Sequence, residues 1–324
     1  MDANATDGQT ISLKERLSEK KTILSFIVAF LILYLLFSQI DFIKTTNIIK
    51  TVNPIIYLTA FVIFYIGFPI RGVRWGKLLN NIGFSESDKN LTEILFLSWF
   101  ANCLVPAKLG DVYRGYLLKK NYRISLSKTL GTIFVERTYD VVALVALLCI
   151  SSALIFGANM PGEIVFSLWI GCGLVIALIL VLLSLKYKTG LMVKLLPSRI
   201  ESVIMMFKEG AYGSVRKAMP IILSYTLIVW FLECGRLLLV TSAIGLRIAL
   251  PIIVFVALAA ALLTALPITP AGLGAVELAI AGVLMIVGID KNLAVSVAIL
   301  DRLISYWSLL IVGGLAYFIT DKRR

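Results

Sequence analysis

One motif occurs twice in this chain, and each time it interrupts an apolar run too short to cross a bilayer comfortably. Residues 102–114 read NCLVPAKLGDVYR and residues 266–277 read LPITPAGLGAVE; both contain Pro-Ala-x-Leu-Gly-x-Val, from Pro106 to Val112 and from Pro270 to Val276. The match extends outward. Arg74 stands nine residues before Gly83, and Arg236 nine before Gly245; downstream, an acid–arginine pair, Glu136-Arg137 or Asp301-Arg302, lies in a long apolar helix. The spacings between halves are 162 residues from Arg74 to Arg236, 162 from Gly83 to Gly245, 164 from Pro106 to Pro270 and 165 from Arg137 to Arg302. Four landmarks in one order at nearly one offset mark an internal repeat, the arrangement by which transporters build one site from two halves.

Composition places that repeat in a membrane. With 59% hydrophobic residues over 324 and a mean hydropathy of +0.94, the chain reads as an integral membrane protein rather than a globular domain with an anchor. The net charge of +12 comes mostly from Lys and Arg between the apolar segments, where they set orientation and meet anionic headgroups. A nucleic-acid-binding reading of that charge is poor, because no soluble domain is evident to present a basic face. Four cysteines sit singly in apolar segments, a spacing that makes neither a disulfide framework nor a metal site. The absence of histidine removes imidazole ligands and histidine acid–base chemistry, so no metal or other cofactor is expected.

Hydropathy and charge predict an all-α membrane protein of about six spanning helices plus two re-entrant helical hairpins, arranged as an inverted repeat. Residues 1–22 form a polar cytoplasmic tail, and the apolar run after it lacks a small-residue cleavage site, which points to a retained helix. The first half covers 23–185, with a hairpin at 91–120. A basic linker follows at 186–218, with apolar residues such as Met192, Leu195, Val203 and Phe207 spaced for an amphipathic surface helix. The second half covers 219–324, with a hairpin at 251–288. Residues 39–54 are expected as a loop. A second apolar helix is expected over 55–70, ending at a cytoplasmic cluster of Arg71, Arg74 and Lys77. Residues 91–105 are too short to span, and the basic run after Pro106 belongs on the cytoplasmic side. A re-entrant hairpin broken at Pro106–Gly110 satisfies both. Non-helical backbone at that depth is tolerated only in protein or beside a wet cavity. Both termini are placed in the cytoplasm.

The polar residues left inside the spans carry the chemistry. Glu136 lies about 13–14 Å along its helix at 1.5 Å per residue, near mid-membrane. Each charge there costs roughly 2.5–3.5 kcal/mol, so Glu136, Arg137 and Asp140 in one turn argue for a polar interior. Adjacent residues on a helix point apart, which makes Arg137–Asp140 the pair that shares a face rather than Glu136–Arg137. Glu233 and Arg236 pair by the same spacing. The Pro–Gly breaks end one short helix and start another, leaving free N–H groups and a positive dipole end to face the cavity. With Arg74, Lys108, Arg114, Arg137, Arg236 and Arg302, these ends look built for an anion, and guanidinium matches phosphate geometry. The carboxylates Asp111, Glu136, Asp140, Glu233, Glu277 and Asp301 keep the arginines paired while the site is empty, or contact headgroup amines and hydroxyls. A purely structural ion-pair network is the competing explanation.

Here the chain resembles a known family. The order N-x-x-x-P-x-x-x-G-[DE]-x-x-R, an E-R pair in the next helix, P-x-T-P-x-G-L-G-x-x-E and a final D-R helix is similar to the transmembrane region of MprF-type lysyl-phosphatidylglycerol synthases. Flippase-like proteins of archaea and bacteria share it, and the likeness covers nearly everything after residue 20. In MprF-type proteins this region moves an aminoacylated phospholipid between leaflets, while a soluble domain performs the aminoacyl transfer. The resemblance therefore implies lipid translocation without the synthase activity. By motif match, it assigns Asn102, Pro106, Gly110, Asp111, Arg114, Glu136, Arg137, Pro270, Gly272, Gly274, Glu277, Asp301 and Arg302 to the site.

The expected function is a flippase-like transporter, not an enzyme, for an anionic phospholipid or polyprenyl-phosphate-type lipid in the cell membrane of a prokaryote. An integral-membrane glycosyl- or aminoacyl-transferase, or a scaffold for a separate synthase, are the alternatives. Expected partners are the lipid itself, a second copy of the chain and a lipid-modifying enzyme.

Overall fold

The computed structural model describes residues 17–106, 108–157, 159–187, 197–215, 219–265 and 269–322. The regular elements among these residues are all helical: α1 Lys20–Phe37, α2 Phe42–Lys50, α3 Pro54–Asn81, α4 Asp88–Leu104, α5 Leu109–Tyr122, α6 Leu126–Phe156, α7 Gly162–Tyr187, α8 Ser198–Val215, α9 Met219–Ala243, α10 Leu250–Ala265, α11 Ala275–Ile286 and α12 Lys291–Ile319. Six of these, α1, α3, α6, α7, α9 and α12, are long and apolar enough to cross a membrane. The helices α4, α5, α10 and α11 are shorter and form two pairs, each joined by one copy of the repeated motif.

Helix starts follow local chemistry. Asn53 Oδ1 accepts from the N–H groups of Ile55 and Ile56, with Pro54 at the first helical position of α3. Asp41 caps α2, Ser87 caps α4 and Asp290 caps α12 by the same device. Two helices depart from expectation. The 39–54 stretch contains α2, because Asp41 supplies a cap to residues that hydropathy alone leaves as loop. More consequentially, α3 does not stop near residue 70 but runs through Pro69, Arg71 and Arg74 to Asn81. Arg71 and Arg74 are buried rather than laid at headgroups. Carboxylates from other helices neutralise them, so the helix can carry them through the interior.

α3 packs most extensively against α9, which sets Arg71 beside Glu233. α8 lies closely along α6, with Phe207 against Phe134 (ring centroids 5.7 Å apart) and Lys128 paired to Glu209 at 2.6 Å. The surface helix expected in the linker is thus a packed element with an outer apolar face of Ile200, Val203 and Met205. Met192 and Leu195 lie outside the described residues. α7 is the least enclosed spanning candidate, presenting Phe166, Trp169 and Ile170 outward.

The ends of α12 locate the two short-helix pairs. At its C-terminal end, Thr320 bonds to Glu93 of α4, and Asn121 of α5 donates to the Lys322 carbonyl at 2.8 Å. At its N-terminal end, residues 287–290 join it directly to α11, while Asn292 accepts from the Asp41 N–H and Lys291 reaches Gln39 in the α1–α2 connection. The tips of both pairs meet the middle of the same helix. Tyr306 donates to the carbonyl of Cys103 at 3.1 Å, and Arg302 to the carbonyl of Ala271 at 3.1 Å. Between those contacts, residues 303–308 widen into a π-helical turn, a form concentrated at functional sites.

Candidate functional site

The two tips enclose a cavity of about 240 Å³. Its polar wall carries Arg71, Asn102, Lys108, Arg137, Asp140, Glu233, Arg236, Asp301, Arg302 and Ser305; its apolar wall includes Val141, Leu144, Val229, Ala257 and Ile280.

The buried charges form a nearly closed ionic network. Glu136 is 1% exposed and bridges two arginines: Arg74 Nη2 at 3.0 Å and Arg114 Nη2 at 2.6 Å. Arg114 also stacks on Trp75, its guanidinium carbon 3.9 Å from the ring centroid. Arg74 reaches Asp140 as well, at 2.6 Å, and donates to Thr226 at 2.9 Å. Arg137 grips Asp111 with two bonds, Nη2 at 2.9 Å and Nε at 3.1 Å, and Asp140 with a third at 3.2 Å. On the other side Arg71 meets Glu233 at 2.5 Å, while Arg236 pairs with Asp301 and with Glu233 at 3.0 Å. Arg302 donates through Nε to Glu277 at 3.1 Å. The connectivity recurs. Arg74 and Arg236 each reach the acidic residue of the following acid–arginine helix, and Arg137 and Arg302 each reach a carboxylate in the first turn after a break.

Lys108 lies beside this network without joining an ion pair in it. Among the described residues its ammonium has no hydrogen-bond or salt-bridge partner, although it lines the cavity. Its backbone is left-handed, φ 53° and ψ 32°, a conformation costly for a non-glycine residue and characteristic of sites held by their surroundings. Seven cations (Arg71, Arg74, Lys108, Arg114, Arg137, Arg236, Arg302) therefore face six carboxylates (Asp111, Glu136, Asp140, Glu233, Glu277, Asp301). Each arginine is paired, and the excess positive charge resides on Lys108.

N–H groups at the breaks are bonded within the protein. The N–H of Gly110 is bonded to Asn102 Oδ1 at 2.9 Å, and that of Asp111 to the Lys108 carbonyl at 2.9 Å. The N–H of Gly274 is bonded to Glu277 Oε2 at 2.8 Å. Part of each helix start is thus satisfied, at α5 by a side chain of α4 and a backbone carbonyl and at α11 by its own Glu277, because a buried N–H is costly without an acceptor. Of the candidate residues, Asn102, Lys108, Arg137, Asp140, Glu233, Arg236, Asp301 and Arg302 line the cavity. Arg74, Asp111, Arg114, Glu136 and Glu277 stand behind that lining as its counter-charges, while Pro106, Gly110, Pro270, Gly272 and Gly274 shape the two tips.

Sequence reasoning left out, among other cavity residues, Arg71, Trp230, Trp99 and Thr269. Arg71 is three residues before Arg74, the spacing that puts both on one helix face. Trp230 stands three before Glu233 for the same reason. Trp99 carries the Arg71 guanidinium 4.8 Å from its ring centroid, and Thr269 flanks the second break. Neither of the last two has a signal in one sequence beyond its nearness to a motif.

The protein so defined is a polytopic helical membrane protein with a charged cavity between two broken helix pairs. It belongs to the family described as the lysylphosphatidylglycerol synthase TM region, whose family model matches residues 22–313. A UPF0104 membrane protein of Methanocaldococcus jannaschii is 39% identical over 225 residues, 69% of this chain and 95% of that protein. One from Pyrococcus horikoshii is 24% identical over 326 residues, covering 91% and 96%. A glycosyltransferase of Haloferax volcanii, AglD, is 27% identical over 138 residues, 42% of this chain but 22% of that protein.

Proposed function

We propose that this protein moves an anionic lipid, a phospholipid or a polyprenyl-phosphate-type carrier, between membrane leaflets, and that it is not an enzyme. The observation that carries this reading is the cavity: a polar wall with one positive charge outside the ion pairs and an apolar wall beside it. A structural ion-pair network has no need of an unpaired lysine, because an isolated interior charge is costly. The two short-helix pairs act as re-entrant hairpins entering from opposite faces, the halves forming an inverted repeat in a cell membrane with cytoplasmic termini. α4 and α5 bond to the C-terminal end of α12, α11 runs directly into its N-terminal end, and both tips lie at its middle, an arrangement that supports that topology.

Purified protein in liposomes with labelled phosphatidylglycerol is expected to move the label between leaflets without a new covalent product. Static lipid in active-site-intact protein overturns the proposal. The similarity to AglD favours a second reading, a membrane component of glycosyl transfer, for which a glycosylated lipid product from a nucleotide- or lipid-linked sugar donor is the discriminating result. For the topology, cysteines at Lys120 and Lys291 in a background free of native cysteine are expected to react with impermeant reagent from the inside and the outside respectively. Reaction of both from one face excludes opposed hairpins. A second copy of the chain, or a lipid-modifying enzyme, is the partner this activity would use.

A further inference from the structure

The ion pairs account for every arginine and every carboxylate around the cavity, so what a ligand meets is decided by what they leave over. Side-chain donors left on the cavity wall include the Lys108 ammonium, the Thr269 hydroxyl, the Trp230 indole N–H and the Arg236 Nε–H. Of these only Lys108 brings a charge that no ion pair among the described residues takes up. Lys108 and Thr269, the latter 3% exposed, come from the two different breaks, one two residues after Pro106 and the other one residue before Pro270. No carboxylate is left over to receive a cation.

We infer that Lys108 and Thr269 form the phosphate subsite of the cavity and restrict its ligand to a headgroup with one net negative charge, a phosphodiester. This rests on the lipid-transport reading and narrows it. A phosphodiester carries one charge and neutralises the network's excess of one. A phosphomonoester carries about two near neutral pH, its second ionisation lying near 6, and leaves one negative charge unmatched in a water-poor interior. A neutral lipid leaves Lys108 unmatched instead. At the helix ends the N–H groups of Gly110, Asp111 and Gly274 are already spent internally. The left-handed backbone of Lys108 has a physical role in this arrangement: it turns the residue out of the register of α5 at the point where the chain enters that helix. A glycerophospholipid and a polyprenyl-linked phosphosugar are both phosphodiesters, and this chemistry is what they share.

The test is lipid retention by the purified full chain in detergent at pH 8, read by native mass spectrometry. The probes are phosphatidylglycerol, phosphatidic acid and diacylglycerol with the same chains, and a polyprenyl phosphosugar. One or both phosphodiesters should be retained at least about tenfold more tightly than phosphatidic acid or diacylglycerol, roughly one decade in Kd. Which of the two is retained identifies the source. Lys108→Asn removes the charge with a residue that tolerates the left-handed conformation, and should abolish the preference over diacylglycerol; Lys108→Arg should keep it. Thr269→Val should weaken retention about threefold, a fraction of a decade in Kd, with an unchanged melting temperature. Phosphatidic acid held as tightly as phosphatidylglycerol by the wild type, retention of neither phosphodiester, or an undiminished preference in Lys108→Asn overturns the subsite. The wild-type headgroup comparison stands even if a variant fails to fold. Selective retention without movement in liposomes would sink transport and leave the subsite; movement without that selectivity would do the reverse.

Discussion

Glu136→Gln is expected to lower unfolding stability in detergent by about 3–5 kcal/mol, the cost of leaving a buried charge without its partner. The substitution is nearly isosteric, so packing is preserved while the charge between Arg74 and Arg114 disappears. Those guanidiniums are 1% and 0% exposed, and among the described residues Arg114 makes no ion pair with another carboxylate. Arg74 retains Asp140 at 2.6 Å, which places most of the penalty on Arg114. The double variant Glu136→Gln with Arg114→Met should therefore recover much of the loss, since the charge that lost its partner is replaced by an apolar chain lying against Trp75. The measurement is thermal or denaturant unfolding of the four members of this cycle in one detergent. Additive losses would show that Glu136 and Arg114 do not act as a pair.

The positions of these charges were legible before any coordinates, and their partners only in part. An ionisable residue in an apolar span is conspicuous against its neighbours, which is why Glu136, Asp140, Arg236 and Asp301 stand out in the sequence. Pairs on one helix follow from its period, as Arg137–Asp140 and Glu233–Arg236 show at 3.2 Å and 3.0 Å. Pairs between helices depend on rotation and depth, which hydropathy does not encode; Arg74 with Glu136 and Arg71 with Glu233 are of this kind. Ending α3 at its arginines was a consequence of that gap. A charged cluster following an apolar run has the same local signature whether it meets headgroups or buried carboxylates. The broken pairs were visible because Pro and Gly recur at fixed spacing. The capping that consumes their N–H groups was not, because Asn102 and Glu277 act through side-chain rotamers that a motif leaves open.

The tips themselves should be intolerant of a single methyl group, for two different reasons. At Gly110 a Cβ would run into the carbonyl of Ser98 and the side chain of Asn102, so α4 and α5 would have to separate where Asn102 holds the Gly110 N–H. Gly110→Ala is expected to cost about 1–3 kcal/mol from overpacking. Because the break it distorts carries Lys108, it should also weaken phosphatidylglycerol retention. At Gly274 the backbone has φ +84°, and a Cβ would sit 2.8 Å from the carbonyl of Ala29 in α1, away from the cavity. Gly274→Ala should cost a similar 1–3 kcal/mol, here from backbone conformation and from displacement of the first spanning helix, with lipid retention per folded molecule unchanged. Ile32→Ala should not rescue it, because the nearest obstacle is main chain. Leu109→Ala, beside Gly110 but leaving its backbone and N–H bond in place, should be milder than either. Melting temperature and lipid retention measured together separate the two tips. A Gly110→Ala variant that melts with the wild type, or a Gly274→Ala variant that loses lipid while remaining folded, would show that the tips are not built as described.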